Sequence, residues 1–157
     1  DGNYRMWWTA DDRARFEERA QKLIDQAGEF VALRNFQNGD KTEDLKVDGA
    51  LTLGENIADL GGLTIAYEAL QKALAKKPQP PIDGLTADQR FFLGWAQGWR
   101  RNYKTEELKL RLTTDVHAPS KFRANGPLSN MDSFHQAFAC SDGDAMVRPE
   151  TKRVRIW

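Results

Sequence analysis

A mainly α-helical chain with long loops is predicted from three observations. Apolar residues recur at three- and four-residue spacing through most of the 157 residues, the period that buries one stripe of a helix. Threonines with an acidic or amide residue three places on, at Thr9 and Thr86, read as helix starts. Pro/Gly clusters at 78–84 and 118–127 and Asn/Asp-Gly pairs at 38–40 and 48–49 separate the periodic segments. The length suits one domain with a real core.

The first helix follows Trp7-Trp8, with Thr9 as N-cap and Asp12 three residues on. Phe16, Ala20, Leu23, Ile24 and Ala27 form its apolar stripe, and Gly28 is its stop. Residues 34–51 are polar and carry both Asn/Asp-Gly turn signals, so a loop, or a short hairpin at most, is expected there. A second helix begins near Thr52 and runs to about Lys76, with Ile57, Leu60, Leu63, Ala66, Leu70, Ala73 and Leu74 as its apolar positions. Its last turn carries lysines, which complement the helix dipole. The third helix opens at the Thr86–Gln89 capping box, and Phe92, Trp95, Ala96, Trp99 and Tyr103 form an aromatic stripe along it. A short helical stretch from Glu106 to Leu112, a Pro/Gly-punctuated segment at 118–127 and a helix from Ser133 to Ala139 follow. Residues 141–157 read as irregular.

Composition narrows the function. Lys+Arg and Asp+Glu both number 23, which argues against a nucleic-acid or anionic-membrane binder. The balance hides a gradient: residues 1–60 carry 8 basic and 13 acidic side chains, residues 100–157 carry 11 and 7. Two charged faces that attract each other explain this, as would a basic lining for an anionic group. Apolar runs are too short for a transmembrane helix. Asp1-Gly-Asn-Tyr lacks the charged and apolar regions of a secretory leader, although a trimmed chain would look the same. A lone cysteine, Cys140, excludes an internal disulfide and a cysteine-rich zinc module. The only histidines, His117 and His135, stand 18 residues apart, so there is no His-x-x-x-His pair.

The segment richest in chemistry is Gly54-Glu55-Asn-Ile-Ala-Asp59-Leu-Gly61-Gly62. Glu55 and Asp59, four apart, share one helix face. Two carboxylates so close suit a metal ligand and its supporting partner, or simply a solvated face. Gly61 and Gly62 cost about 1 kcal/mol each against alanine in a helix interior, which suggests a close backbone approach.

Leu53-Gly-Glu-Asn-Ile-Ala-Asp-Leu-Gly-Gly-Leu63 closely resembles the second zinc-site motif of the neprilysin-type metallopeptidases. The resemblance continues, in the family's order, through Trp7-Trp8-Thr9, Phe91-Phe-Leu-Gly-Trp-Ala-Gln-Gly-Trp99, Thr114-Asp-Val-His-Ala-Pro119 and Phe122-Arg-Ala-Asn-Gly126. It extends to the Phe134–Cys140 segment and to Arg155-Ile-Trp157. It implies that Glu55 is the third zinc ligand and that Asp59 orients a ligand histidine. His117 would stabilise the oxyanion, with Asp115 orienting it, and Arg123 would bind a substrate carbonyl. Gly98 and Trp99 would line the pocket for the residue after the scissile bond. Without the family, His117 reads as a structural histidine and Arg123 as a surface cation.

Two departures matter. The family's His-Glu-x-x-His helix is absent and is expected upstream of Asp1. Val154 stands where animal members carry a cysteine; with the lone Cys140, this points to a bacterial-type member. The chain as a whole (1–157) is therefore read as the helical C-terminal part of a zincin-type catalytic domain, inactive alone and completed by the N-terminal part of the same protein. The resemblance implies zinc, peptide substrates and a secreted, periplasmic or cell-envelope location. The alternative is a non-catalytic helical interaction module.

Overall fold

The computed structural model describes residues 2, 3 and 5–155; Asp1 and Tyr4 of the opening tetrapeptide, and Ile156 and Trp157 of the terminal block, lie outside the described residues. Among the described residues six helices and one hairpin follow in the order α1 (Ala10–Glu29), β1 (Val31–Asn38), β2 (Lys41–Lys46), α2 (Leu53–Lys76), α3 (Ala87–Gly98), α4 (Thr105–Thr114), α5 (Ser120–Leu128) and α6 (Asp132–Ala137), with a short 3-10 turn at Glu150–Lys152. The expected mainly helical class is what is found.

Thr9 caps α1, its hydroxyl accepting the Asp12 N–H at 3.1 Å, and α3 begins with the full reciprocal capping box of Thr86 and Gln89. One core gathers Leu23 of α1, Leu60 and Leu63 of α2, Phe92 of α3, Leu128 of α5, Met131 and Val154. Phe92, 1% exposed, is its centre, stacked on Tyr67 and edge-on to Phe134. Val154 is thus a core residue. A smaller cluster of Ala27, Val47, Ala118 and Phe122 sits under the hairpin side.

Three expectations need correction. Residues 31–46 form a full antiparallel hairpin around a two-residue turn, with Gly39 in its first place at φ +62°. The strands are irregular: between Leu33 and Phe36 an extra residue bulges out, with Asn35 at φ +51° and its N–H donated to Asp44. The segment read as Pro/Gly-punctuated is helix α5, because Pro119 occupies its N-cap and Gly126 and Pro127 its last turn. Finally, α3 stops at Gly98, so Tyr103 belongs to the link between α3 and α4. Two other readings also shift. Ala66 and Ala73 of α2 face solvent, and a Cβ added at Gly62 would meet open space.

A buried polar network crosses the core. Gln26 of α1 donates to the Gly126 carbonyl at 2.9 Å, Asn130 donates to Gln26 Oε1 and to the same carbonyl, and the Val154 N–H donates to Asn130. The charge gradient resolves into pairs between the two ends of the chain. Arg148 and Lys152 hold Glu29 at 2.9 and 3.3 Å, and the Arg148 hydrogen bond keeps the Glu29 carboxyl below the usual carboxylate range.

Gly49 requires the absence of a side chain. A Cβ there would run into the backbone of Ile24 in α1. Gly49→Ala is therefore expected to destabilise the fold by about 1–3 kcal/mol, as overpacking does. An unchanged chemical-denaturation midpoint would show that the loop before α2 yields freely.

Candidate active site

The start of α2 is built by Asp48 and Thr52. Asp48 Oδ1 accepts the N–H groups of Ala50 and Leu51 at 2.9 Å, and the Thr52 hydroxyl donates to the Asp48 carbonyl while accepting from Asn56. This sets Glu55 in the first turn, where the helix N-terminus favours a negative charge. Asp59 follows one turn on and is buried.

Arg123 of α5 meets Asp59 as a two-pronged pair: Nε donates to Oδ2 and Nη2 to Oδ1, both at 2.7 Å. The guanidinium also lies over the Trp99 ring, 4.0 Å from its centroid. The Asp59 hydrogen bond, against an opposing effect of burial, raises the Arg123 pKa further above its ordinary value. Pro127, four residues on, has no N–H for the Arg123 carbonyl. The Trp95 indole N–H donates to that carbonyl instead, at 3.2 Å. The proline thus lets α3 anchor the backbone of the arginine it also stacks on.

His117 occupies the link between α4 and α5. Asp115, the C-cap of α4, places Oδ1 2.9 Å from the His117 backbone nitrogen and 2.8 Å from Nδ1. Nε2, on the other side of the ring, is 3.2 Å from Glu55 Oε2. The His117 N–H and then its ring, with help from Arg111, hold the Asp115 carboxyl below the usual carboxylate range although partial burial opposes this.

Six of the seven residues singled out in the sequence therefore meet in two linked contacts. Glu55, His117 and Asp115 form one; Asp59, Arg123 and Trp99 form the other. Trp99, Asp115, His117 and Arg123 also share the wall of a cavity of about 250 Å³. Gly98 stands apart: exposed at the end of α3, it faces open space and does not line that cavity. The other histidine, His135, is a buried structural residue with Nε2 3.2 Å from the Met146 carbonyl.

Sequence reasoning missed Arg111 and the Tyr103–Ser120 contact. Arg111 Nη1 donates to Asp115 Oδ2 at 2.7 Å, and the Tyr103 hydroxyl lies 2.8 Å from Ser120 Oγ. Arg111 could have been found, because it precedes Asp115 by four residues within a helical stretch.

The donor set for a metal is partial. Among the described residues no group of three or more His, Cys, Asp or Glu side chains could hold a metal ion. What the site offers is one partly exposed carboxylate, Glu55, beside an imidazole. Asp59, with both oxygens engaged by Arg123, still has lone pairs for a further donor.

The fold thus brings three carboxylates, an imidazole and a guanidinium together beside the first two turns of α2. Residues 1–154 match the model of Peptidase family M13, and the chain belongs to that family. Two of the similar solved structures are of the Mycobacterium tuberculosis zinc metalloprotease ZMP1. The inhibitor complex is 45% identical with a TM-score of 0.90, covering 100% of this chain and 23% of that one. The open state is 46% identical with a TM-score of 0.87, covering 100% and 24%. Neprilysin-2 of Drosophila melanogaster is 37% identical over 159 residues, 99% of this chain and 19% of that protein. The chain thus spans about a fifth of the length of the curated relatives it matches.

Proposed function

We propose that these residues are the C-terminal part of a zinc metalloendopeptidase and supply one zinc ligand together with the groups that bind the substrate and its transition state. The observation that carries this reading is the contact between His117 and Glu55, with Asp115 bound behind the ring. Glu55 is the ligand this chain contributes. The remaining ligands and the general base come from a His-Glu-x-x-His helix elsewhere in the complete protein, so these residues alone do not hydrolyse peptides. When bound, zinc supplies Lewis acidity and a water made nucleophilic near neutral pH.

The chain's own residues do the rest. Asp115 Oδ1 accepts a hydrogen bond from Nδ1–H of His117 and so aims Nε2 at the Glu55 side. There, with both ring nitrogens carrying a proton, Nε2–H donates to the oxyanion that develops when a peptide carbonyl is attacked. Arg123 uses Nε–H and one N–H of Nη2 on Asp59, which leaves the Nη1 N–H groups and the second Nη2 N–H as donors for a substrate carbonyl. Asp59 also orients a ligand histidine from outside the chain, and Trp99 shapes the pocket for the residue after the scissile bond. The substrates are peptides, and the location is extracellular, periplasmic or at the cell envelope. No helix among the described residues is long and apolar enough to cross a membrane.

The test is His117→Ala in the complete protein. Its side chain is 44% exposed, so the fold should tolerate the change. Loss of an oxyanion donor should lower kcat about 10²–10³-fold with KM little altered. Unchanged kcat in a folded variant would remove His117 from the chemistry.

A further inference from the structure

We propose that Arg111 is a positioning residue of this peptidase, acting through Asp115 to fix the orientation of His117; this rests on the role of His117 given above. A carboxylate that faces an imidazole through one oxygen can rotate about its own bond and present that oxygen elsewhere. Asp115 is prevented from doing so. Its Oδ1 takes both the His117 N–H and Nδ1, while its Oδ2 is held by Arg111 Nη1 at 2.7 Å. Both oxygens are therefore fixed, and the plane of the carboxylate is set by two partners of different origin.

Arg111 is itself held in place. Its Nε donates to Glu107 Oε1 at 2.7 Å, one turn earlier on α4, and its guanidinium lies 5.6 Å from the centroid of the Tyr103 ring. The Tyr103 hydroxyl lies against Ser120 in the first turn of α5. Glu107, Arg111 and Asp115 stand at successive four-residue steps, so one face of α4 carries a line of alternating charge that ends on the imidazole. Three of these members (Arg111, Asp115 and His117) also line the cavity beside Arg123. A lysine could supply the charge but not the planar fork that spans Glu107 and Asp115 together.

The experiment compares Arg111→Gln, Arg111→Lys, His117→Ala and the double variant Arg111→Gln/His117→Ala in the complete protein, with kcat and KM measured separately on a peptide substrate. Glutamine keeps much of the aliphatic stem, which limits loss of packing on Tyr103. Arg111→Gln should lower kcat about 10–100-fold with KM little changed, as misplacement of a reacting group does. Arg111→Lys should recover part of that loss. In the double variant the arginine change should add nothing to the loss caused by His117→Ala, because its effect passes through that ring. Full kcat in Arg111→Gln beside a crippled His117→Ala overturns the inference and leaves the reading of His117 standing. So does a loss in the double variant equal to the two single losses combined. Full kcat in His117→Ala itself overturns both.

Discussion

Arg123→Ala is expected to lower the thermal midpoint sharply and to cost the fold about 3–5 kcal/mol, the range for removing one partner of a buried ion pair. The side chains of Asp59 and Arg123 are only 8% and 15% exposed, so truncation leaves a carboxylate out of water with no cation opposite. The same change removes the guanidinium from the Trp99 ring and frees α5 from α2 at this point. Asp59→Ala should be comparably damaging for the complementary reason. Replacing both residues with apolar ones of similar volume should restore much of the loss, because the uncompensated charge is then gone. Any effect of Arg123 on KM has to be read on the fraction that remains folded. An Arg123→Ala protein that unfolds at the parent temperature would show that the pair does not hold α2 to α5.

Glu55→Gln is expected to do the opposite: little to stability, nearly everything to turnover. The residue sits partly exposed on the first turn of α2, and glutamine keeps its shape, so the fold loses only the favourable placement of a charge at a helix N-terminus, about 0.3–1 kcal/mol. In the proposed role of Glu55 as the zinc ligand from these residues, its carboxylate has no substitute nearby: Asp59 is turned to Arg123 and Asp115 to His117 and Arg111. Asp59→Asn should show a milder loss in metal affinity or activity, about 10–100-fold, as for a group that orients a ligand. Full turnover in Glu55→Gln would remove Glu55 from the metal site.

Much of this was legible in the sequence, and what was not has physical reasons. The caps at Thr9 and Thr86 and the apolar stripe of α1 follow from local rules, and the structure keeps them, while the stripes of α2 and α3 hold at Leu60, Leu63 and Phe92 but not at Ala66, Ala73 or Tyr103. The hairpin was hidden because β2 is polar and exposed and the bulge at Asn35 in β1 breaks the two-residue alternation by which a strand is recognised. Helix α5 was hidden because prolines read as breakers, yet Pro119 is only the N-cap, and the helical bond that Pro127 cannot make to the Arg123 carbonyl is replaced by the Trp95 indole N–H. The candidate residues were found through the resemblance; Glu55 and Asp59 alone are two carboxylates on one face. What no spacing could give was their partners. That Arg123 holds Asp59 across 64 residues, and that His117, in the link before α5, reaches Glu55, depends on how α5 packs against α2.

Whether Glu55 binds zinc is read from the affinity of the complete protein for the metal. Competition with a chromophoric chelator, run on the parent and on Glu55→Gln with their folds matched by circular dichroism, should give one tightly bound zinc in the parent. The variant should bind more than about 100-fold more weakly, a larger loss than that of a group acting on a ligand from behind. Equal affinity in the two proteins would contradict the account.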